Sequence, residues 1–265
     1  MMESLQLTGP AGKLAAELLL PASFDRQMQQ CDLVILMHGF LGGRAKQPMG
    51  YLSRILTEAG HAVLRFVFDG YGDSEGPSTA NTVPKMIDDA QTVWRYARTL
   101  PFVRRIILLG HSQGGVVAGM LAGRLAAAGT PPSGLILLAP ASILREFAQR
   151  GRFFTVRCNP ADPPATINIY GFKMGRDYIT SAQTLPIEQE SARYSGPVCL
   201  LHGTWDGIIP IACSEWYHQL YPRSEFHRIR CIGHVFLLRR KLLRSHVLDF
   251  LRNLPAPRAT DNDAS

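Results

Sequence analysis

The stretch Gly110-His111-Ser112-Gln113-Gly114-Gly115 constrains this chain more than any other. It follows the apolar run Ile106–Leu109 and precedes a helical pattern that begins at Val116. A serine held between glycines at a strand-to-helix turn is a nucleophile elbow. Such a turn strains the serine backbone and stands its hydroxyl clear of the sheet. Side chains at 110 and 114 would collide with the neighbouring strand and helix, which accounts for a glycine at both positions. The turn also sets the Gln113 N–H at a helix start, where a developing oxyanion can be held.

Around the elbow, strands and helices alternate. Leu5–Leu7 and Leu14–Leu20 read as two strands joined by the turn Gly9-Pro10-Ala11-Gly12, forming an antiparallel edge. Leu33–Met37 is continuously apolar, as a strand in the middle of a parallel sheet should be. A helix over 48–58, a strand over 62–68, a helix over 82–99, the strand 105–109, the helix 114–128 and the strand 134–139 follow. The pattern predicts an α/β fold: a mostly parallel, doubly wound sheet with right-handed crossovers.

The alternation stops at 141–190, where Arg152-Phe153-Phe154, Asn159-Pro160, Pro163-Pro164 and Tyr170-Gly171-Phe172 show no clean period. Fifty such residues are too many for a plain loop, so they read as a cap inserted after the sixth strand. The sheet resumes with a strand over 197–202, a helix over 211–220, a strand over 225–231 and a helix over 236–251. The expected organisation is a core of 1–140 and 191–254, a cap of 141–190 and a flexible tail of 255–265.

A serine hydroxyl attacks only when a base takes its proton and a third group orients that base. Behind an elbow of this kind the partners come later, in the order Ser, acid, His. Asp206, in His202-Gly203-Thr204-Trp205-Asp206-Gly207, stands just past a strand end and 94 positions after Ser112. Asp73 precedes Ser112 and sits in a glycine-flanked turn, while Asp162 lies in the cap; Asp206 is the better acid. Of the later histidines, His218 and His246 fall in helices and His227 in a strand. Only His234, behind Gly233, occupies a loop after a strand, and it is the expected base. A second oxyanion donor should come from the loop after His38-Gly39, where spacing selects the backbone N–H of Phe40. His38 reads as structural, and His111, inside the elbow, as structural or pocket-lining.

Composition narrows the partners. Net charge is +7, with a basic cluster at Arg239-Arg240-Lys241 and Arg244. No aromatic interleaving or base-reading motif accompanies it, so it reads as a solvated helix face and not as a nucleic-acid site. The longest apolar runs are strand-length, so no membrane span is expected. No secretion signal is recognisable at the N-terminus. Five cysteines without Cys-x-x-Cys spacing favour reduced thiols in a cytoplasm over disulfides or a metal site. No metal-ligand cluster or phosphate-binding glycine loop is evident, and cofactor-free chemistry is expected.

With these residues placed, the chain resembles the α/β-hydrolase superfamily over almost its full length. Within it, the chain is most similar to the bacterial cinnamoyl/feruloyl esterases. The stretches that carry the likeness are His38-Gly39-Phe40, Arg65–Gly76, Val103–Gly123, Leu137–Ala141, Leu185–Glu188 and Pro197–Asp206. The resemblance implies hydrolysis of hydroxycinnamoyl or other aryl esters through an acyl-serine, with a small-molecule ester as partner and no cofactor. It also implies a cap that shapes the acyl pocket. By its position before Leu185-Pro186, Tyr178 matches a tyrosine that meets the substrate's ring in that family. Glu146 offers the counterpart of an acidic cap contact. A general short-chain carboxylesterase, lipase, thioesterase or peptidase would share the fold, as would a catalytically silent binding protein. The oligomeric state stays open, a dimer included.

Overall fold

The computed structural model describes residues 1–256 of the chain. The expected tail lies outside the described residues from 257 onward. Strands β1 (Met2–Thr8) and β2 (Lys13–Leu19) form an antiparallel hairpin. Then come β3 (Cys31–Met37), α1 (Met49–Glu58), β4 (Ala62–Phe66), α2 (Val83–Arg98), β5 (Val103–His111), α3 (Gln113–Ala127) and β6 (Gly134–Leu138). The segment after β6 holds α4 (Leu144–Gln149), the short hairpin β7 (Arg152–Phe153) and β8 (Val156–Arg157), and a second hairpin, β9 (Thr166–Ile169) and β10 (Phe172–Gly175). Two helices close that segment, α5 (Arg176–Ala182) and α6 (Ile187–Ser191). The chain returns to the sheet with β11 (Val198–Gly203), α7 (Ala212–Leu220), β12 (Ser224–Ile229) and α8 (Arg240–Arg252).

The main sheet has eight strands in the order β1-β2-β4-β3-β5-β6-β11-β12. The six strands from β4 to β12 run parallel, and the β1–β2 hairpin joins them antiparallel through β2 and β4. Side chains on a strand alternate between faces, and β3 shows what each face meets. Leu33, Ile35 and Met37 join a core with Val83, Ile87 and Ala90 of α2 and Val117 and Leu121 of α3. Val34 and Leu36 join a second core with Leu52 and Ile55 of α1 and Val247 and Phe250 of α8. Both faces are buried, which explains why the strand is apolar throughout and not alternating.

Most element ends differ from the sequence pattern by one to three residues, and two larger differences have a physical reason. The last helix begins at Arg240 and not at Phe236, because Phe236 is anchored in the core with a φ of 54° and Arg239 is left-handed at 53°. A residue in that conformation cannot continue a right-handed helix. The other difference concerns α6, inside the stretch read as cap. It packs on α3: a Cβ at Gly123 would lie 1.7 Å from the Glu190 carbonyl oxygen, and Arg124 donates to Glu190 at 2.8 Å.

Candidate active site

The elbow is built by close approach of backbones. Ser112 has φ 56° and ψ −121°, a strained conformation for a side-chain-bearing residue. A Cβ at Gly110 would stand 2.2 Å from the Gly114 carbonyl oxygen, and one at Gly114 would stand 2.3 Å from that of Met37. Only glycine permits α3 to start so close to β5 and β3. The turn is fixed to the end of β6 by Ser112 N–H donating to Leu138 O at 2.9 Å and Ala141 N–H to Ser112 O at 3.1 Å. Ser112 opens onto a cavity of about 710 Å³ under the cap.

Asp206 follows β11 and His234 follows β12, so adjacent parallel strands deliver both to the same edge of the sheet. His234 Nδ1 donates to Asp206 Oδ2 at 2.7 Å. A carboxylate only accepts, so the proton is on Nδ1 and Nε2 is left as the basic nitrogen. His234 lines the cavity with Ser112. The other Asp206 oxygen accepts the N–H groups of Ile208 and Ile209, each at 2.9 Å. Burial alone would raise this carboxyl, but hydrogen bonds from His202 and His234 outweigh it and hold the group well below the ordinary carboxylate range. The competing acids are placed elsewhere. Asp73 is exposed and pairs with Arg44, and Asp162 is exposed and pairs with Arg176.

Two histidines that sequence reasoning left without a role in the site support this pair. His202, fully buried in β11, places Nε2 3.3 Å from Asp206 Oδ2 while its Nδ1 faces the Ser214 hydroxyl at 2.8 Å. His111 donates from Nε2 to the carbonyl oxygen of His234 at 2.8 Å. Burial, with the neighbouring His234, pushes the His111 ring down to about 3, so it is neutral. Its place inside the elbow motif was the available signal. His202 carried none beyond its nearness to Asp206.

The loop after β3 closes the other side. A Cβ on Gly39 would lie 2.9 Å from that of Ser112. His38 shapes the loop: its Nδ1 donates to Gly39 O at 2.8 Å and its Nε2 accepts from Phe68 N–H at 3.3 Å. Burial lowers the His38 ring to about 4, which keeps it neutral for both contacts. Phe40 and Gln113 line the same cavity as Ser112. Gln113 is the first residue of α3, where a backbone N–H has no intrahelical acceptor.

The cap supplies the apolar walls: Leu144, Phe147, Phe153, Met174 and Tyr178 face the cavity. Aromatic pairs clasp it to the core, Phe154 stacking on Phe40 at 5.6 Å and Phe172 on Tyr71 at 4.5 Å. Tyr178 is buried, and its hydroxyl donates to the Gln113 side-chain oxygen. Glu146 is not part of the lining; it faces solvent and pairs with Arg150. Among the described residues the lining holds two cations, Lys46 and Arg152, and no carboxylate.

Outside the cavity, register brings together what sequence spacing hid. Cys199 of β11 pairs with Glu225 of β12, and with His227 they place potential metal-ligating atoms within 4.8 Å of one another. All five cysteines are free thiols. None of the described helices is long and apolar enough to cross a membrane.

The model of the serine aminopeptidase S33 family (Hydrolase_4) matches residues 29–158. A lysophosphatidylserine lipase, ABHD12 of Danio rerio, is 27% identical over 247 residues, covering 86% of this chain and 60% of that protein. The chain thus spans less than two thirds of that relative's length. Est1E from Butyrivibrio proteoclasticus, solved with ferulic acid bound, superposes with a TM-score of 0.88 at 27% identity, covering 94% of this chain and 98% of its own. The esterase Pf2001 of Pyrococcus furiosus shares the fold at a TM-score of 0.69 and 19% identity, covering 96% of this chain and 93% of its own.

Proposed function

We propose that this chain, which has the α/β-hydrolase fold, is a serine carboxylic-ester hydrolase working through an acyl-serine. The observation that carries this reading is the His234–Asp206 pair, closed at 2.7 Å, on the wall of the cavity into which Ser112 opens. In this reading His234 Nε2 takes the Ser112 proton as Oγ attacks the ester carbonyl. The oxyanion is held by the N–H groups of Phe40 and Gln113. Asp206, kept ionised, stabilises the imidazolium, which then protonates the leaving alcohol. Water, deprotonated by the same ring, hydrolyses the acyl-serine and restores the enzyme.

The substrate reading is a hydroxycinnamoyl or related aryl ester. Its support is the aromatic and aliphatic wall of the cap, the Tyr178 hydroxyl within it, and the likeness to a structure that holds ferulic acid. A second reading, a lysophospholipid ester, is favoured by Lys46 and Arg152 as the charged groups of a lining without carboxylates, and by the lipase relatives. A cytoplasmic setting with reduced thiols accompanies either reading.

One hydrolysis panel separates them: methyl ferulate, methyl cinnamate, short and long acyl esters, a thioester, a peptide amide and lysophosphatidylserine. Preference for the ferulate supports the first reading, and preference for the lysophospholipid the second. A fluorophosphonate probe tests the enzyme class itself. Failure of folded protein to form an adduct at Ser112 would reduce it to a binding protein.

A further inference from the structure

The chain after His234 spends its apolar residues unevenly. Phe236 is anchored in the core, but Leu237 and Leu238 are 52% and 60% exposed, and Val235 and Leu242 also stand in solvent. Trp205, 66% exposed, stands beside this loop, where its backbone N–H donates to Ile232 O at 3.0 Å. Val235 and Ile208 are both exposed and cavity-lining, so they border the opening, as do Phe154 and Tyr170 on the cap hairpins. Cations are interleaved with these residues. Arg239, Lys241 and Arg244 are exposed, and none of the three enters an ion pair among the described residues. An apolar patch of this kind marks an interaction site.

The mixture selects the partner. Leucines and a tryptophan beside unpaired arginines and lysines suit an acyl–headgroup boundary, with apolar tips inserted and cations at the phosphates. A second copy of this chain fits poorly, since a two-fold contact would face the same cations with one another. We propose that Val235–Arg244, together with Trp205, is a docking surface for an anionic lipid membrane, seated beside the mouth of the cavity. Substrate delivery from that membrane rests on the ester-hydrolase reading; the docking itself does not.

The test uses the Ser112→Ala chain, which leaves the lipid intact, with vesicles of phosphatidylcholine with and without phosphatidylserine. Partition is expected onto the phosphatidylserine vesicles, weaker on phosphatidylcholine alone and weaker with added salt. A blue shift in tryptophan emission should accompany it and be lost in Trp205→Phe. The pair Leu237→Ser and Leu238→Ser should lower partition at least about tenfold. Arg239→Gln, Lys241→Gln and Arg244→Gln together should lower it on the order of a hundredfold, about fivefold per charge. These variants, made with Ser112 restored, should hydrolyse a water-soluble ester as the parent does, which certifies their fold. The proposal is overturned by no partition onto the anionic vesicles. Variants that bind as well as the parent overturn it too, as does a leucine pair whose change turns a dimer into a monomer without altering vesicle binding. Because binding is read on a chain that does not turn over, its failure is distinct from failure of the hydrolase reading.

Discussion

His202 sets its Nε2 3.3 Å from Oδ2 of Asp206, the same oxygen that takes the Nδ1 proton of His234. One carboxylate oxygen is thus approached by two imidazoles, one from β11 and one from the loop after β12. His202 is itself held by the Ser214 hydroxyl and by the Ile209 carbonyl oxygen at 3.0 Å. It is fully buried and does not line the cavity, so it acts through Asp206 as a positioning residue. Replacing it by leucine removes one donor to Asp206 and leaves buried polar partners unpaired, at a cost of about 1–3 kcal/mol in stability. In His202→Leu, kcat should fall roughly tenfold with KM unchanged, since about 1.4 kcal/mol of transition-state support is worth one decade. A rise in KM with constant kcat would show that His202 acts on substrate binding instead.

Asp206→Asn should be far more damaging. An asparagine can present its N–H₂ to the ring and hold His234 in the wrong tautomer, lowering turnover by up to roughly 10⁴-fold with little change in fold. Asp73→Asn should be silent, because that side chain is exposed and pairs with Arg44. Steady-state rates of the two variants, beside their melting temperatures, decide the assignment.

Ser112→Ala and His234→Ala should each cost several orders of magnitude. Their combination should be scarcely worse than either, because a nucleophile without its base, or a base without its nucleophile, supplies little. Multiplicative losses in the double variant would remove one of the two from the proposed triad.

How far the sequence reaches is visible in these residues. Ser112 and Asp206 each stand at the end of an apolar strand, His234 follows the more polar β12, and chain order selects among the competing acids and bases. Leu33–Met37 could be read as central because both of its faces are apolar. The support given by His202 could not be read, since its ring reaches Asp206 only once the turn after β11 folds back, and the contact of His111 depends on the elbow meeting the loop after β12. Cys199, Glu225 and His227 likewise meet only through strand register. In the cap, two-residue strands such as Arg152–Phe153 are too short to show a period. The start of α8 escaped because Phe236 continues the helical spacing in sequence, while in space it anchors a left-handed loop.

Asp89, in α2, gives a pH dependence of stability. The carboxyl is buried and accepts the Asp69 N–H at 2.9 Å. Burial pushes it up to about 7, opposed by that hydrogen bond and reinforced by the charges of Asp69 and Asp88. An unfolded aspartate titrates near 4 (~3.9). Between those values the native state binds more protons than the unfolded one, so stability falls as pH rises from about 4 to about 7 and then levels off. Asp89→Asn keeps an acceptor for Asp69 and cannot ionise. Its melting temperature should therefore exceed that of the parent at pH 8 by more than at pH 4. Parallel pH profiles for the two proteins would show that Asp89 titrates as an ordinary carboxyl.

Tyr178 tests the substrate reading. Its hydroxyl donates to the Gln113 side chain, and the oxygen of this cavity-lining residue keeps lone pairs that can accept from a substrate phenol. Once water is excluded, a ring hydroxyl left without such a partner would cost about 1–3 kcal/mol. Tyr178→Phe should then lower kcat/KM about tenfold for ferulate esters and leave cinnamate and short acyl esters nearly unchanged. The competing expectation follows from Gln113, whose side-chain oxygen would lose its donor and whose backbone N–H is a proposed oxyanion contact. If the tyrosine serves only to fix Gln113, all esters should slow together and the melting temperature should drop. The discriminating quantity is the ratio of ferulate to cinnamate kcat/KM. A ratio unchanged by the substitution removes Tyr178 from ring recognition and, with it, the strongest side-chain support for a hydroxycinnamoyl substrate.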